Sequence, residues 1–230
     1  MENLLLKRCL QAALIYIFVF LAAAAVAMAK DATISGSIIG GYRVLPVDIS
    51  SQKLHFTVYR GDYIKFDLDP SIADPTLAIP DLDVEERLPA SVDESPYFKM
   101  KTSGIFAFSL GEMSGVIEVV DFDRPNYREV TAQEAAELIA NTEPLVLDVR
   151  TPKEYQQGHL EGSVLIPLQE LQTRWPEITD YRNQDVLIYC ATGNRSTVAS
   201  KILIDSGFKR IVNMRHGIVD WVRRGLPFVQ

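Results

Sequence analysis

Cysteine and histidine are scarce in this chain, and basic charge is not in excess. Its 230 residues hold two cysteines, Cys9 and Cys190. Two cysteines cannot build a disulfide-rich scaffold or a multi-cysteine zinc or iron–sulfur site. The histidines, His55, His159 and His216, are too widely spaced to suggest a histidine-rich metal site. No metal and no cofactor are expected. Lys and Arg number 23 against 30 Asp and Glu, a net charge of −7, so no nucleic acid partner is implied. Hydrophobic residues make up 47% and charged residues 23%, which is ordinary for a globular protein and excludes disorder and collagen-like repeats. No internal repeat is visible.

One long uncharged run is present. Lys7 and Arg8 precede it, and no charged residue falls between Cys9 and Ala29. The apolar stretch Leu14–Leu21 gives way to small residues and to Ala27-Met28-Ala29, then Lys30-Asp31. A basic start, an apolar centre and an A-x-A site describe an export signal over residues 1–29, cleaved after Ala29. The alternative is an uncleaved anchor, because 21 uncharged residues can just span a bilayer. In both cases the rest of the chain is expected outside the cytoplasm, for instance in a bacterial periplasm. A membrane is a partner only if the segment stays. Cleavage removes Cys9 and leaves Cys190 alone. An unpaired cysteine in an exported protein is either buried and inert or kept for its reactivity.

The remainder has two textures. Residues 30–121 read as an all-β sandwich. Leu54–Tyr59, Tyr63–Leu68, Gly104–Phe108 and Val116–Val120 alternate apolar and polar residues between Gly- and Asp-containing turns. Residues 70–98, with Pro70, Pro75, Pro80, Pro89 and Pro96 and many acids, read as a long surface excursion. Residues 31–122 carry 7 basic and 15 acidic residues, so the acidic surplus belongs to this half. Residues 122–230 alternate helix and strand. Thr131-Ala132-Gln133-Glu134 is a capping box opening a helix toward Ile139. Leu145–Val149, Val164–Ile166, Asp185–Cys190 and Arg210–Met214 read as buried strands. Helices are expected from about Ser196 to Ser206 and around Val219, Trp221 and Val222. This alternation indicates an α/β domain with a parallel sheet flanked by helices. A charged linker, Asp121–Asn126, separates the halves.

The chemistry concentrates in Cys190-Ala191-Thr192-Gly193-Asn194-Arg195-Ser196. An apolar strand delivers Cys190 to the carboxyl edge of the sheet, where open α/β folds place ligands. A tight turn into a helix can aim successive N–H groups at the sulfur. The helix N-terminus and Arg195 add positive charge. Each favours thiolate over thiol. Gly193 permits a backbone angle other residues avoid, and Ser196 or Thr197 can cap the helix. The inert reading is a structural cysteine at a strand end. Cysteine-dependent phosphatases use Cys-x5-Arg; here only four residues intervene, so the loop suits a sulfur-bound anion better than a phosphoryl group.

These landmarks resemble the rhodanese family of single-domain sulfurtransferases over residues about 125–230. They are Leu147-Asp148-Val149-Arg150, then Glu154 to Ser163, the loop at 190–196, and Gly217 with Trp221 and Gly225-Leu226-Pro227. The family pattern has two glycines where this chain has His216-Gly217. The resemblance implies that Cys190 takes sulfane sulfur from a small anionic donor such as thiosulfate. It then passes that sulfur to cyanide or to a thiol acceptor, small molecule or protein. Backbone N–H groups from Ala191 to Arg195 would hold the persulfide, and Arg195 would orient the donor. Asp148 and Arg150 would brace the loop, with Glu154 and His159 structural. The alternatives are a non-catalytic binding module and a cysteine phosphatase or arsenate-type reductase. Arg60–Phe66 and Gly104–Val119 resemble the hairpin and last two strands of a cupredoxin-like sandwich. No cysteine lies in that half, Met113 stands near an axial-ligand position, and His55 is its sole histidine. A shell without type 1 copper is expected, because that site needs two His and a Cys.

Overall fold

The computed structural model describes residues 33–230 apart from Ile49, Gln52 and Ala73. The export signal and Cys9 lie outside the described residues. No helix among the described residues is long and apolar enough to cross a membrane.

Residues Ser35–Gln230 form one compact unit. Its first part holds two mixed sheets. One contains β1 (Ser37–Ile39), β2 (Tyr42–Pro46), β4 (Tyr63–Asp67) and β7 (Phe98–Lys99) in the order β1-β2-β4-β7. The other contains β3 (Lys53–Tyr59), β5 (Thr76–Ile79), β6 (Val84–Arg87), β8 (Gly104–Leu110) and β9 (Met113–Val120) in the order β3-β9-β8-β5-β6. The β2–β4 and β3–β9 pairs are parallel, and the remaining pairs are antiparallel. Alternate residues point inward, so Leu54, Phe56 and Val58 join Ile64, Phe66, Phe108, Ile117 and Val119 in one core.

The proline-rich stretch is not a surface excursion throughout. Between Pro75 and Pro80 it contributes β5, whose Leu77 and Ile79 are fully buried, and Leu88 beyond β6 is buried too. The prolines sit at element boundaries, where a missing N–H costs no ladder bond. They therefore delimit the strand rather than forbid it.

The second part has a five-stranded, all-parallel sheet: β10 (Tyr127–Val130), β11 (Leu145–Asp148), β12 (Val164–Leu165), β13 (Asp185–Tyr189) and β14 (Arg210–Met214), ordered β10-β14-β13-β11-β12. On one face, Val146, Leu187, Tyr189 and Val212 pack on α1 (Ala132–Thr142) and α5 (Gly217–Arg223). On the other, Leu145, Leu147, Val186 and Ile188 pack on α3 (Leu168–Arg174) and α4 (Asn194–Asp205). A short α2 (Pro152–Gln156) follows β11. Capping boxes start α1 at Thr131/Glu134 and α2 at Thr151/Glu154.

The sandwich docks on the α3/α4 face. Gly41 abuts Leu168, and the Gln172 amide donates to the Ile38 carbonyl at 2.9 Å. The Arg60-Gly61-Asp62 turn lies on α4, with Gly61 against Thr197. Asp62, buried, accepts from Lys201 Nζ at 2.7 Å and from Arg43 Nε at 2.5 Å. Burial outweighs the attraction of Asp62 and pulls Lys201 down to about 8. Its ammonium lies 4.5 Å over the Tyr59 ring. The Asp121–Asn126 linker is itself packed: Phe122 meets Tyr59 edge-on at 5.0 Å and Tyr127 at 4.9 Å.

Candidate active site

Strand β13 ends at Tyr189, and the next residue is Cys190, 1% exposed. Period-two alternation puts Tyr189 on the α1/α5 face and Cys190 on the face shared with α4 and with Tyr63 of the sandwich. The loop turns at Gly193, whose φ of +96° lies in the left-handed region. Its N–H donates to Cys190 Sγ at 3.2 Å, and the Ser196 hydroxyl lies 3.7 Å from the same sulfur.

The loop carbonyls are drawn the other way. Ile218 N–H donates to the Cys190 carbonyl at 2.9 Å and Val219 N–H to the Ala191 carbonyl at 3.2 Å. The first turn of α5 thus holds the acceptor side of the loop and leaves its donor side toward the sulfur. This requires very close approach. A Cβ on Gly217 would sit 2.2 Å from the Cys190 carbonyl oxygen. His216 stands where the family pattern has a glycine, and it still adopts a left-handed φ of +64°. The departure therefore keeps the backbone path and adds an exposed imidazole.

Helix α4 starts at Asn194, earlier than expected, so Gly193 is its N-cap and no side chain caps it. Ser196 and Thr197 lie inside the first turn. Their hydroxyls reach back to the Gly193 carbonyl at 3.0 and 2.9 Å instead of capping. As at any helix start, the N–H groups of the first turn, at Asn194 and Arg195, have no intrahelical acceptor. They are available to an anion, and the helix dipole favours one there.

Arg195 does not stand free. It makes a two-pronged ion pair with Glu154, at 2.8 and 2.6 Å. Glu154 also closes the α2 capping box with Thr151. The guanidinium, with the Thr151 hydrogen bonds, holds the Glu154 carboxyl down at about 2. Glu154, read as structural from the sequence, is thus the residue that aims Arg195. Asp148 and Arg150 form a buried pair. Arg150 Nε bonds both carboxylate oxygens, at 3.0 and 2.9 Å, and the guanidinium reaches the Gly158 carbonyl at 2.8 Å. It also lies 5.4 Å over the Tyr189 ring, beneath the loop. His159 stacks on Tyr155, 3.8 Å between centroids, away from the sulfur's hydrogen-bond partners.

The sandwich contributes what the sequence did not suggest. A cleft of about 420 Å³ opens beside Ala191, Thr192 and Arg195 and is walled by Tyr42, Tyr63, Tyr97 and Lys99. Tyr63 packs in the same cluster as Cys190. Burial first, then the nearby Cys190, pushes its phenol up to about 12, so it stays protonated. No signal within residues 60–66 could have shown this, because the contact spans the two halves.

The ligands of a type 1 copper site do not fit the sandwich. His55 is exposed and lies 3.4 Å from Glu118, Met113 begins β9 in the β8–β9 turn, and the thiol such a site needs is missing from the sandwich sequence. Among the described residues no three His, Cys, Asp or Glu side chains are grouped to hold a metal.

The Rhodanese-like domain family matches residues 131–224. A sulfurtransferase of Allochromatium vinosum is 37% identical over 102 residues, covering 44% of this chain and 94% of that protein. The thiosulfate sulfurtransferase PspE of Escherichia coli is 37% identical over 67 residues, 29% of this chain and 64% of PspE. A tRNA uridine(34) hydroxylase of Photorhabdus laumondii is 27% identical over 104 residues, covering 42% of this chain and only 30% of the hydroxylase.

Proposed function

Because the chain belongs to the rhodanese-like family, with sulfurtransferases among its relatives, we propose that it moves sulfane sulfur from a small anionic donor such as thiosulfate, through a persulfide on Cys190, to a thiol or cyanide. The observation that carries the reading is the Cys190 sulfur held at the strand end, with the Gly193 N–H on it at 3.2 Å and the N-terminus of α4 behind it. In the first half-reaction the Cys190 thiolate attacks the outer sulfur of thiosulfate. A sulfur–sulfur bond forms, the bond to the sulfonate sulfur breaks, and sulfite leaves with its electron pair. In the second, an acceptor thiolate or cyanide attacks the outer persulfide sulfur, and the Cys190 thiolate departs. This is covalent catalysis in two steps, so ping-pong kinetics are expected. Preorganised N–H donors around the loop stabilise the anionic sulfur without reorganising.

Export fits this chemistry. We read residues 1–29 as a signal that delivers the protein outside the cytoplasm, and the sandwich as a cupredoxin-like shell without type 1 copper. Two packed mixed sheets around one aromatic core support the shell reading. The mature protein then has a single thiol with no internal cysteine to resolve its persulfide, so the sulfur is handed outward.

The test is to incubate the protein with thiosulfate and weigh it intact. One added sulfur, placed on Cys190 by peptide mapping and absent from Cys190→Ala, is the expected result. If Cys190→Ala turns over thiosulfate as well as the parent, the reading is wrong. A thiol that no donor sulfurates would mark a binding module. Hydrolysis of an aryl phosphate faster than thiosulfate turnover would favour a phosphatase.

A further inference from the structure

The cleft beside the Cys190 loop is lined by both halves of the molecule, and its charge runs against the charge of the half that walls it. Residues 31–122 hold 7 basic and 15 acidic residues. Yet among the described residues lining the cleft there is no carboxylate, and the two charged ones are Lys99 and Arg195. Arg195 is already neutralised by Glu154, which grips it from behind at 2.6 Å. Among the described residues Lys99 has no carboxylate partner. It is exposed, on the two-residue strand β7, with its ammonium 5.4 Å over the Tyr63 ring and 5.9 Å over the Tyr97 ring.

The neighbouring lysine shows that this is not general to the aromatic wall. Lys65 lies 4.9 Å over Tyr42, but its ammonium is taken up by the carbonyls of Val92 and Asp93 at 2.9 and 3.1 Å. Lys99 has only the ring faces, which hold a solvated cation weakly. It is thus placed beside the cleft and is free to swing onto a ligand. Tyr63 and Tyr97 pack 5.4 Å apart and Tyr97 and Tyr42 also 5.4 Å apart, so the sheet-side wall of the cleft is aromatic. Cys190, packed in the same cluster as Tyr63, is 1% exposed. A small molecule fits a space of about 420 Å³; the convex surface of a folded protein does not.

We propose that the sandwich is the donor-selecting half of the sulfur site: Lys99, steered by Tyr63 and Tyr97, pairs with the charge of a small dianionic sulfane donor and holds it between itself and Arg195. The inference rests on the sulfurtransferase reading and adds a donor-selecting residue that lies outside the rhodanese-like residues 131–224. Lys99 is a specificity-determining residue and takes no part in bond making. The appended sandwich thereby restricts a cysteine loop, otherwise open to any sulfur carrier, to small anions.

The experiment compares two donors on the same protein: thiosulfate, a dianion that leaves a persulfide on Cys190 and releases sulfite, and a neutral organic trisulfide, whose central sulfur Cys190 attacks to form a mixed trisulfide as one alkylthiolate leaves. The quantity read is the ratio of their kcat/KM values for loading sulfur on Cys190. Lys99→Gln is expected to lower that ratio about tenfold through KM for thiosulfate, the scale of one charge-assisted contact. Lys99→Glu should lower it further, and Lys99→Arg should keep it. Thiosulfate binding to Cys190→Ala, measured by calorimetry without turnover, should weaken in the Cys190→Ala/Lys99→Gln pair. A ratio unmoved by Lys99→Gln, or equal losses on both donors, overturns the inference while the sulfurtransferase reading stands. A parent protein that accepts sulfur from neither donor overturns both.

Discussion

Replacing Asp62 by Asn tests the joint between the N-terminal sheets and helix α4. Asp62 is the single buried anion between two buried cations, with side-chain exposures of 1% for Asp62, 6% for Arg43 and 3% for Lys201. It also accepts the Tyr59 N–H at 2.9 Å. Asn keeps an acceptor for that N–H but strands both cations. Removing one partner of a buried pair costs about 3–5 kcal/mol, a large share of the ~5–15 kcal/mol a domain has. Lys201→Met should be far milder, about 1 kcal/mol. The lost charge-assisted bond is offset by no longer desolvating an ammonium, and Asp62 keeps Arg43. The methionine would also pack on Tyr59 and Phe122, whose rings Lys201 now covers. Adding Lys201→Met to Asp62→Asn should therefore restore stability, by removing a stranded charge.

The same group sets a pH dependence. Folding lowers Lys201 from 10.5 to about 8, so between those values the unfolded chain holds more protons than the folded one. Stability should rise with pH across that window, by up to about 3 kcal/mol. Above about pH 10 the buried phenols oppose it, because Tyr63, Tyr127 and Tyr189 are all raised and the folded state then keeps the extra protons. Urea unfolding of the parent, both single variants and the double variant, at about pH 7 and about pH 9.5, measures all of this. The reasoning is refuted if Asp62→Asn costs under about 1 kcal/mol, if the second substitution deepens the loss, or if Lys201→Met keeps the parent's rise with pH.

Gly217→Ala should disable the loop and destabilise the fold, because the atoms its Cβ would meet are backbone. The new Cβ would meet the Cys190 carbonyl at 2.2 Å and the φ of +58° adds about 1–2 kcal/mol of strain; sulfur loading measured by intact mass should fall more than about tenfold. Glu154→Gln should leave Arg195 unaimed and raise KM for thiosulfate. The Glu154 carboxyl is lowered from 4.5 to about 2, so the stability it contributes is fully present above pH 4.5 and lost as pH falls through 2. The pair is partly solvated, which limits the effect to about 1 kcal/mol, and acid unfolding of the variant should be flatter over that range. Leu77→Ala should cost about 2–5 kcal/mol by urea unfolding, since Leu77 is fully buried on β5; a cost under about 0.5 kcal/mol would return residues 76–79 to the surface.

Much of the rhodanese-like half was legible in the linear order of residues. The Thr131–Glu134 capping box, the apolar runs of β11 and β13, and the turn at Gly193 are local, and each satisfies its hydrogen bonds or buries its face within a few residues. The start of α4 was misplaced because Ser196 and Thr197 suit a cap, while the glycine before them reaches the cap geometry with no side chain. Strand β5 was hidden because the prolines that bound it signal breaks, and only a partner sheet shows that Leu77 and Ile79 have somewhere to be buried.

Cys190 at the end of an apolar strand, before a glycine- and arginine-bearing turn, was determined by sequence alone, and so was the parallel α/β architecture around it. Three things were decided only by tertiary structure: the grip of Glu154 on Arg195, the anchoring of the Arg60–Asp62 turn on α4, and the Tyr63–Tyr97–Lys99 wall facing the cysteine loop. Each joins residues far apart in the chain, across a loop or across the two halves. No local propensity or spacing encodes such a meeting, because it exists only once both surfaces have been buried against each other.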